Sequence, residues 1–253
     1  MHSRLPRGRA PPRPAAETPE RFIGIDVGAR EFHAILLSPN AEWLASQRFA
    51  APAALAAWVS AIAPDGGGIA IDAPIRTTEG LLLDPDYRAT VSPPPPAGRY
   101  LTYRECDYQL ARRGLPLYRV PPRYPDCPGW MRAGFAVYDA LLRTGRWSVF
   151  DGGDVQDRLA EVYPFSAFAV LLGRIPPRKS TPEGRAARIA ALRTRLHGSA
   201  NLDGRSHHEL DAAAAAVTAL ALRAGQATWV GNPREALMVL PGPLRDYYEP
   251  ADK

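Results

Sequence analysis

The sequence predicts an α/β fold. Its centre is a mixed five-stranded sheet, with elements in the order β-β-β-α-β-α-β-α, a proline-rich cap insertion and extra helices. Three observations predict it. Phe22-Ile23-Gly24-Ile25-Asp26-Val27-Gly28 and Gly68-Ile69-Ala70-Ile71-Asp72-Ala73-Pro74 are short apolar runs of the kind that form strands buried on both faces, and each carries one carboxylate near its end. Between them lie strand-like segments and one amphipathic helix, so the second run can lie parallel to the first through a right-handed crossover. Far downstream, Leu210-Asp211-Ala212 opens an alanine-rich helix whose small side chains allow close approach to a sheet.

The elements follow in order. Residues 1–19 are rich in Pro and Arg without periodicity and read as a disordered leader. Residues 21–28, 32–38 and 42–49 form an antiparallel meander, with a turn at Pro39-Asn40. Pro52 opens a helix whose inner face is Leu55, Trp58, Val59 and Ile62. Residues 69–73 are the fourth strand. An insertion at about 75–129, with four consecutive prolines at 93–96, reads as a cap beside the strand ends. Inside it, Tyr103 to Gly114 is a short helix ended by glycine. A helix over 130–145, a fifth strand over 158–163 and a short helix over 164–172 follow. Another helix opens at 179–185. Ser206 with Glu209 forms a capping box at the head of the helix 206–224. Residues 228–230 and 236–240 form a terminal pair of strands, so one domain spans 20–245 and a tail covers 246–253.

Composition narrows the function classes. With 253 residues the chain builds a core without disulfide or metal staples. A hydrophobic share of 46% excludes wholesale disorder. The net charge of +5 is a mild bias toward anionic partners, and four arginines of the leader supply most of it. Cys106 and Cys127 form no CxxC pair, which argues against a thiolate zinc site and suits a reducing compartment. No apolar run reaches the roughly 20 residues of a membrane span, and no apolar segment follows the basic N-terminus, so the expected setting is cytoplasmic.

The chemistry centres on three acids. A buried carboxylate without a partner is strongly unfavourable, so Asp26 and Asp72 within core strands need a compensating cation or donors. If their strands are neighbours, both reach the C-terminal sheet edge, where open α/β sheets bind ligands. Asp211 alone is explained by the helix dipole; beside Asp26 and Asp72 it completes a set that stays ionised only around a cation. All-oxygen ligands select Mg²⁺ or Mn²⁺. Two such ions about 4 Å apart clamp a phosphodiester, one activating water and one stabilising the leaving oxygen.

The chain resembles the DUF429 family, predicted nucleases with a ribonuclease H-like fold. The matching pieces are Gly24-Ile25-Asp26, Ile71-Asp72-Ala73-Pro74, Arg104 to Leu110, Glu161-Val162-Tyr163-Pro164, Lys179 to Arg188 and Leu210-Asp211-Ala212, spread over about 21–241. The resemblance implies a metal-dependent phosphodiester hydrolase acting on DNA or RNA, with Asp26, Asp72 and Asp211 as catalytic metal ligands. Members often carry acids where His207-His208-Glu209 stands here. Glu209 is therefore a candidate fourth ligand or only a helix cap. Glu161 is a candidate ligand or a partner of a basic residue. Arg104 and Lys179 are candidate phosphate binders, with pairing to Asp107 and Glu183 the alternative. His207 and His208 are candidate proton carriers, and Tyr100, Tyr103 and Tyr108 either stack bases or pack a lid.

Two rival classes share the opening pattern. A sugar-kinase or actin-like ATPase needs a second, duplicated domain with a phosphate-binding glycine hairpin; nucleotide binding without nuclease activity separates it. A non-catalytic nucleic-acid-binding module of the same fold would bind equally well in EDTA and never cut.

Overall fold

Alternating side chains decide how the layers form. In β1 (Arg21–Val27) and β4 (Gly67–Asp72) the large residues Ile23, Ile25, Ile69 and Ile71 point to one face. Phe22, Gly24, Gly68, Ala70 and the two acids take the other, as the period of two requires. The large face packs under α1 (Pro52–Ile62) and α4 (Gly129–Leu142) through Leu55, Val59, Val137 and Leu141. The small face receives α7 (His207–Arg223), twelve of whose residues are buried. The computed structural model describes residues 20–63, 67–198 and 201–250; the expected leader, residues 1–19, lies outside the described residues.

The sheet runs β3-β2-β1-β4-β6-β8-β7, where β2 is Phe32–Leu37, β3 Trp43–Phe49, β6 Arg158–Val162, β7 Thr228–Asn232 and β8 Ala236–Leu240. A two-residue strand, β5 (Ser148–Val149), also pairs with β6. The first three strands are antiparallel, and β1, β4, β6 and β8 are parallel. The three antiparallel strands, the helix α1 and the parallel β4 and β6 follow the order expected of a ribonuclease H-like core. The sheet has eight strands rather than five. The terminal pair does not stand apart: β8 lies along β6 at Glu161↔Met238 and Val162↔Val239 and carries β7 with it. Five apolar residues in a row, Ala236 to Leu240, are all buried by that placement.

Close approach of α7 depends on Gly24. A Cβ there would stand 1.9 Å from the carbonyl oxygen of Ala212 and 2.2 Å from the amide nitrogen of Ala216, both backbone atoms of α7. Backbone cannot rotate away, so Gly24→Ala is expected to cost about 3 kcal/mol, the upper end of overpacking effects. Urea unfolding checks this; a loss below about 1 kcal/mol would mean that α7 rides higher above the sheet.

The insertion begins after β4 and includes α2 (Pro85–Thr90) and α3 (Glu105–Ala111). Proline lacks an N–H but keeps its carbonyl, and Arg88 uses this: its guanidinium donates to the carbonyls of Leu82, Pro95, Pro96 and Arg99. Tyr100, Tyr103 and Tyr108 pack with Leu82 and Val91 in a small core of their own, with ring centroids 5.1 Å apart. They fill the cap and present no stacking platform. The remaining helices are α5 (Pro164–Leu172) and α6 (Pro182–Arg193), which pack beside α7. Past β8 the chain stays docked: Tyr248 is fully buried, and its amide donates to Arg113 O at 2.9 Å.

Candidate functional site

Register brings the first two acids together. Asp26 and Asp72 are paired positions on neighbouring parallel strands, so both side chains leave the sheet on the α7 side at its C-terminal edge. Ser206 caps α7 in the expected capping box with Glu209, and Asp211 sits one turn in, 4% exposed. The close seating of α7 over Gly24 sets that first turn above the two strand ends. All three acids line one cleft of about 570 Å³.

The charges are only partly balanced. Lys179 Nζ stands 3.1 Å from Asp211 Oδ2, and His208 Nδ1 is 2.7 Å from Asp26 Oδ2. Burial, then the charges of Asp26 and Asp211, push the Asp72 carboxyl well above the usual range. Burial also raises Asp211, against the pull of Lys179. Partial burial works against the Lys179 ammonium, but Asp211 beside it more than reverses this and raises its pKa. The hydrogen bond to Asp26 raises His208.

These shifts fix a pH dependence. Asp72 and Asp211 hold protons in the folded state that the unfolded chain has released, so stability falls as pH rises above 3.8, the ordinary aspartate value. The stability contributed by His208 is complete below 6.5, its ordinary value, and is lost as pH rises through its higher folded value. Both act in one direction. Metal-free protein is expected to lose stability from pH 5 toward 8 in urea melts, and Asp72→Asn to flatten that slope; an unchanged slope in the variant would assign it elsewhere.

Hard oxygen donors of this kind suit a divalent cation, and burial, with the charges of Asp26 and Asp211, raises the Asp72 carboxyl. In the present arrangement Lys179 and His208 hold Asp211 and Asp26. Among the described residues no group of three or more His, Cys, Asp or Glu side chains is arranged to grip an ion.

The other expected residues divide. Lys179 is in the cleft. Glu161 is not grouped with the three acids, because its register partner on β4 is Ile71, which faces α1 and α4. There Arg104 donates to Glu161 at 2.7 and 3.1 Å and to Asp107 at 2.8 and 2.9 Å, all three side chains being buried. Arg104 is thus committed to a buried ion triad, and with Glu161 it lines a smaller pocket that shares Asp72, Tyr118 and Trp130 with the cleft. Burial raises Glu161 despite Arg104. Glu209 is spent on the cap, on Ser46 and on Arg205. Partial burial opposes its charge, but those donors hold its carboxyl at about 2.

Sequence reasoning missed His33. It lies opposite Asp26 across the first hairpin, and its ring stacks on His208 at 4.9 Å. The tight turn at Gly28, whose amide donates to Glu31 O, carries that register and was the available signal. Arg188 and the aromatics Tyr118, Trp130 and Tyr163, which line the cleft with the acids, were also missed as site residues. They come from four separate segments and share no local motif.

Among known proteins, two solved structures of the RuvC protein of Thermus thermophilus are similar. The one titled as a complex with a Holliday junction substrate is 14% identical, covering 81% of this chain and 96% of that one at a TM-score of 0.41. The other is 12% identical, covering 84% and 99% at 0.42. No curated protein matches the chain by sequence. No helix among the described residues is long and apolar enough to cross a membrane. The family model described as "Protein of unknown function (DUF429)" matches residues 24–235, and the chain belongs to that family.

Proposed function

We propose that the protein is a nuclease that hydrolyses phosphodiester bonds of nucleic acid with bound Mg²⁺ or Mn²⁺ and water as the nucleophile. The observation that carries this reading is the convergence of Asp26, Asp72 and Asp211, from two strands and a helix, on one cleft that also holds Lys179 and Arg188. Carboxylates alone would repel a phosphodiester; with basic side chains beside them the cleft suits both a cation and a phosphate.

Asp26, Asp72 and Asp211 are the residues that would hold the ions. Such ions, when bound, would supply Lewis-acid chemistry, making a water more acidic and stabilising charge on the departing oxygen. His208 orients Asp26 through its 2.7 Å hydrogen bond. Lys179 gives Asp211 a counter-charge while no ion is bound and faces the phosphate side of the cleft. Glu161 acts on the other face of the sheet: it accepts from the Ile75 amide at 3.0 Å and so steadies the segment just after Asp72.

A binding module without chemistry is the second reading, and one observation favours it: Lys179 and His208 already partner two of the three acids. One experiment separates the two. Labelled single-stranded, duplex, hybrid and branched DNA and RNA are incubated with Mn²⁺ or with EDTA. Cleavage confined to Mn²⁺ supports the nuclease; binding that is equal in both, with no cleavage, supports the module.

A further inference from the structure

We infer that Arg188 is the anchor of a phosphate subsite beside the acids, which takes a backbone phosphate of a single nucleic-acid strand; this rests on the nucleic-acid reading above. Arg188 is 3% exposed, yet no carboxylate stands within ion-pair distance of it among the described residues. Its Nη1 donates to the carbonyls of Pro177 and Gly184, each at 2.9 Å, and its guanidinium lies over the Phe168 ring at 5.3 Å. Its Nε is buried without a hydrogen bond. Arg104, just as buried, has two carboxylates. A guanidinium held out of water with no carboxylate in contact, and only the charge of Asp211 reaching it through space, is unfavourable, and its packing does not remove that. An anion arriving in the cleft would.

The surroundings suit a phosphate. Arg188 lines the cleft with Lys179 and Ser180, which lie on the loop leading into α6. That loop is fixed against α6: a Cβ on Gly184 would meet the carbonyl oxygen of Arg178 at 1.9 Å. Lys179 and Ser180 therefore keep their place relative to Arg188. Tyr118 and Trp130 line the same cleft, ring centroids 5.5 Å apart, with Tyr118 65% exposed. Such faces accept unpaired bases. The 570 Å³ cleft is in the range of small-ligand sites, about 300–1,000 Å³, so what enters it is a nucleotide-sized part of one strand. A phosphate at Arg188 and a base on these rings describe a single strand.

The test reads binding in EDTA, so cleavage plays no part. A labelled single-stranded DNA 12-mer is titrated by fluorescence anisotropy over a range of salt, for the parent and for Arg188→Met and Arg188→Lys. Arg188→Met keeps the apolar stem on Phe168 and removes the charge. It is expected to bind about tenfold more weakly and to reduce the salt slope by about 0.7, the share of one single-strand phosphate. Arg188→Lys should recover part of both. Inorganic phosphate should raise the Tm of the parent and not of Arg188→Met.

Unchanged affinity and slope in Arg188→Met would overturn the subsite. Adenosine monophosphate binding as tightly as the 12-mer, and lost in the variant, would overturn the strand in favour of a mononucleotide. If Arg188→Met does not fold, the parent decides alone: no rise of Tm with phosphate rejects the subsite. A protein that binds in this way and never cuts with Mn²⁺ would sink the nuclease reading and leave the subsite standing.

Discussion

Asp26→Asn is expected to lower Mn²⁺-dependent cleavage by about three orders of magnitude, or about 4 kcal/mol of transition-state stabilisation. The change is isosteric and keeps an oxygen to accept from His208 Nδ1. It removes one negative charge from beside Asp72, whose carboxyl is raised by burial and then by that neighbour. The metal-free variant should therefore melt at or above the parent temperature. Loss of activity with intact stability is the signature of a missing ion ligand. Cleavage within tenfold of the parent would remove Asp26 from the ion-holding set. Asp211→Asn makes a useful comparison, because it also frees Lys179 from its 3.1 Å ion pair. It should lose cleavage too, but with little gain in stability.

Arg104→Met is expected to destabilise the fold by about 3–5 kcal/mol at neutral pH, the range for removing one partner of a buried ion pair. Glu161 and Asp107 would stay behind without a counter-charge, both under 5% exposed. Burial already raises Glu161; without Arg104 it would rise further, so part of the loss should return as pH falls and the carboxyl takes up a proton. Urea unfolding at pH 5 and pH 8 measures both effects. A loss below about 1 kcal/mol would show that the triad contributes little. The triad joins the cap helix α3 to β6 and, through the Ile75 amide, to the chain just after Asp72. A variant that still folds should therefore also cut more slowly.

Much of the fold was legible. The β-β-β-α-β opening, Pro52 at a helix start, Gly114 after a short helix and the Ser206–Glu209 box all appear where local signals put them. The small residues Gly24, Gly68 and Ala70 at alternate positions announce the seat of the alanine-rich helix, and the acids that end the same stripe fall on the same side. The added strands were harder. β5 is two residues long, and β8 joins β6 by pairing across more than seventy residues of chain.

Glu161 shows the limit most clearly. Its motif reads like those of Asp26 and Asp72, an acid near the end of an apolar strand. Register decided otherwise: β6 aligns it with Ile71, one position out of step with Asp72, so it faces the opposite layer and meets Arg104. A shift of one residue along a strand exchanges the faces.

Taken alone, the amino-acid order determined most of the strands and helices, though not β5 or α2, and that Asp26, Asp72 and Asp211 terminate or open three apolar ones. Both follow from side-chain periodicity, capping and turn chemistry acting over a few residues. Tertiary structure alone decided which acids share a cleft, that His33 and His208 flank Asp26, and that Arg188 stands buried with no carboxylate in ion-pair distance. Those outcomes follow from strand register and helix seating, which depend on packing between segments far apart in the chain.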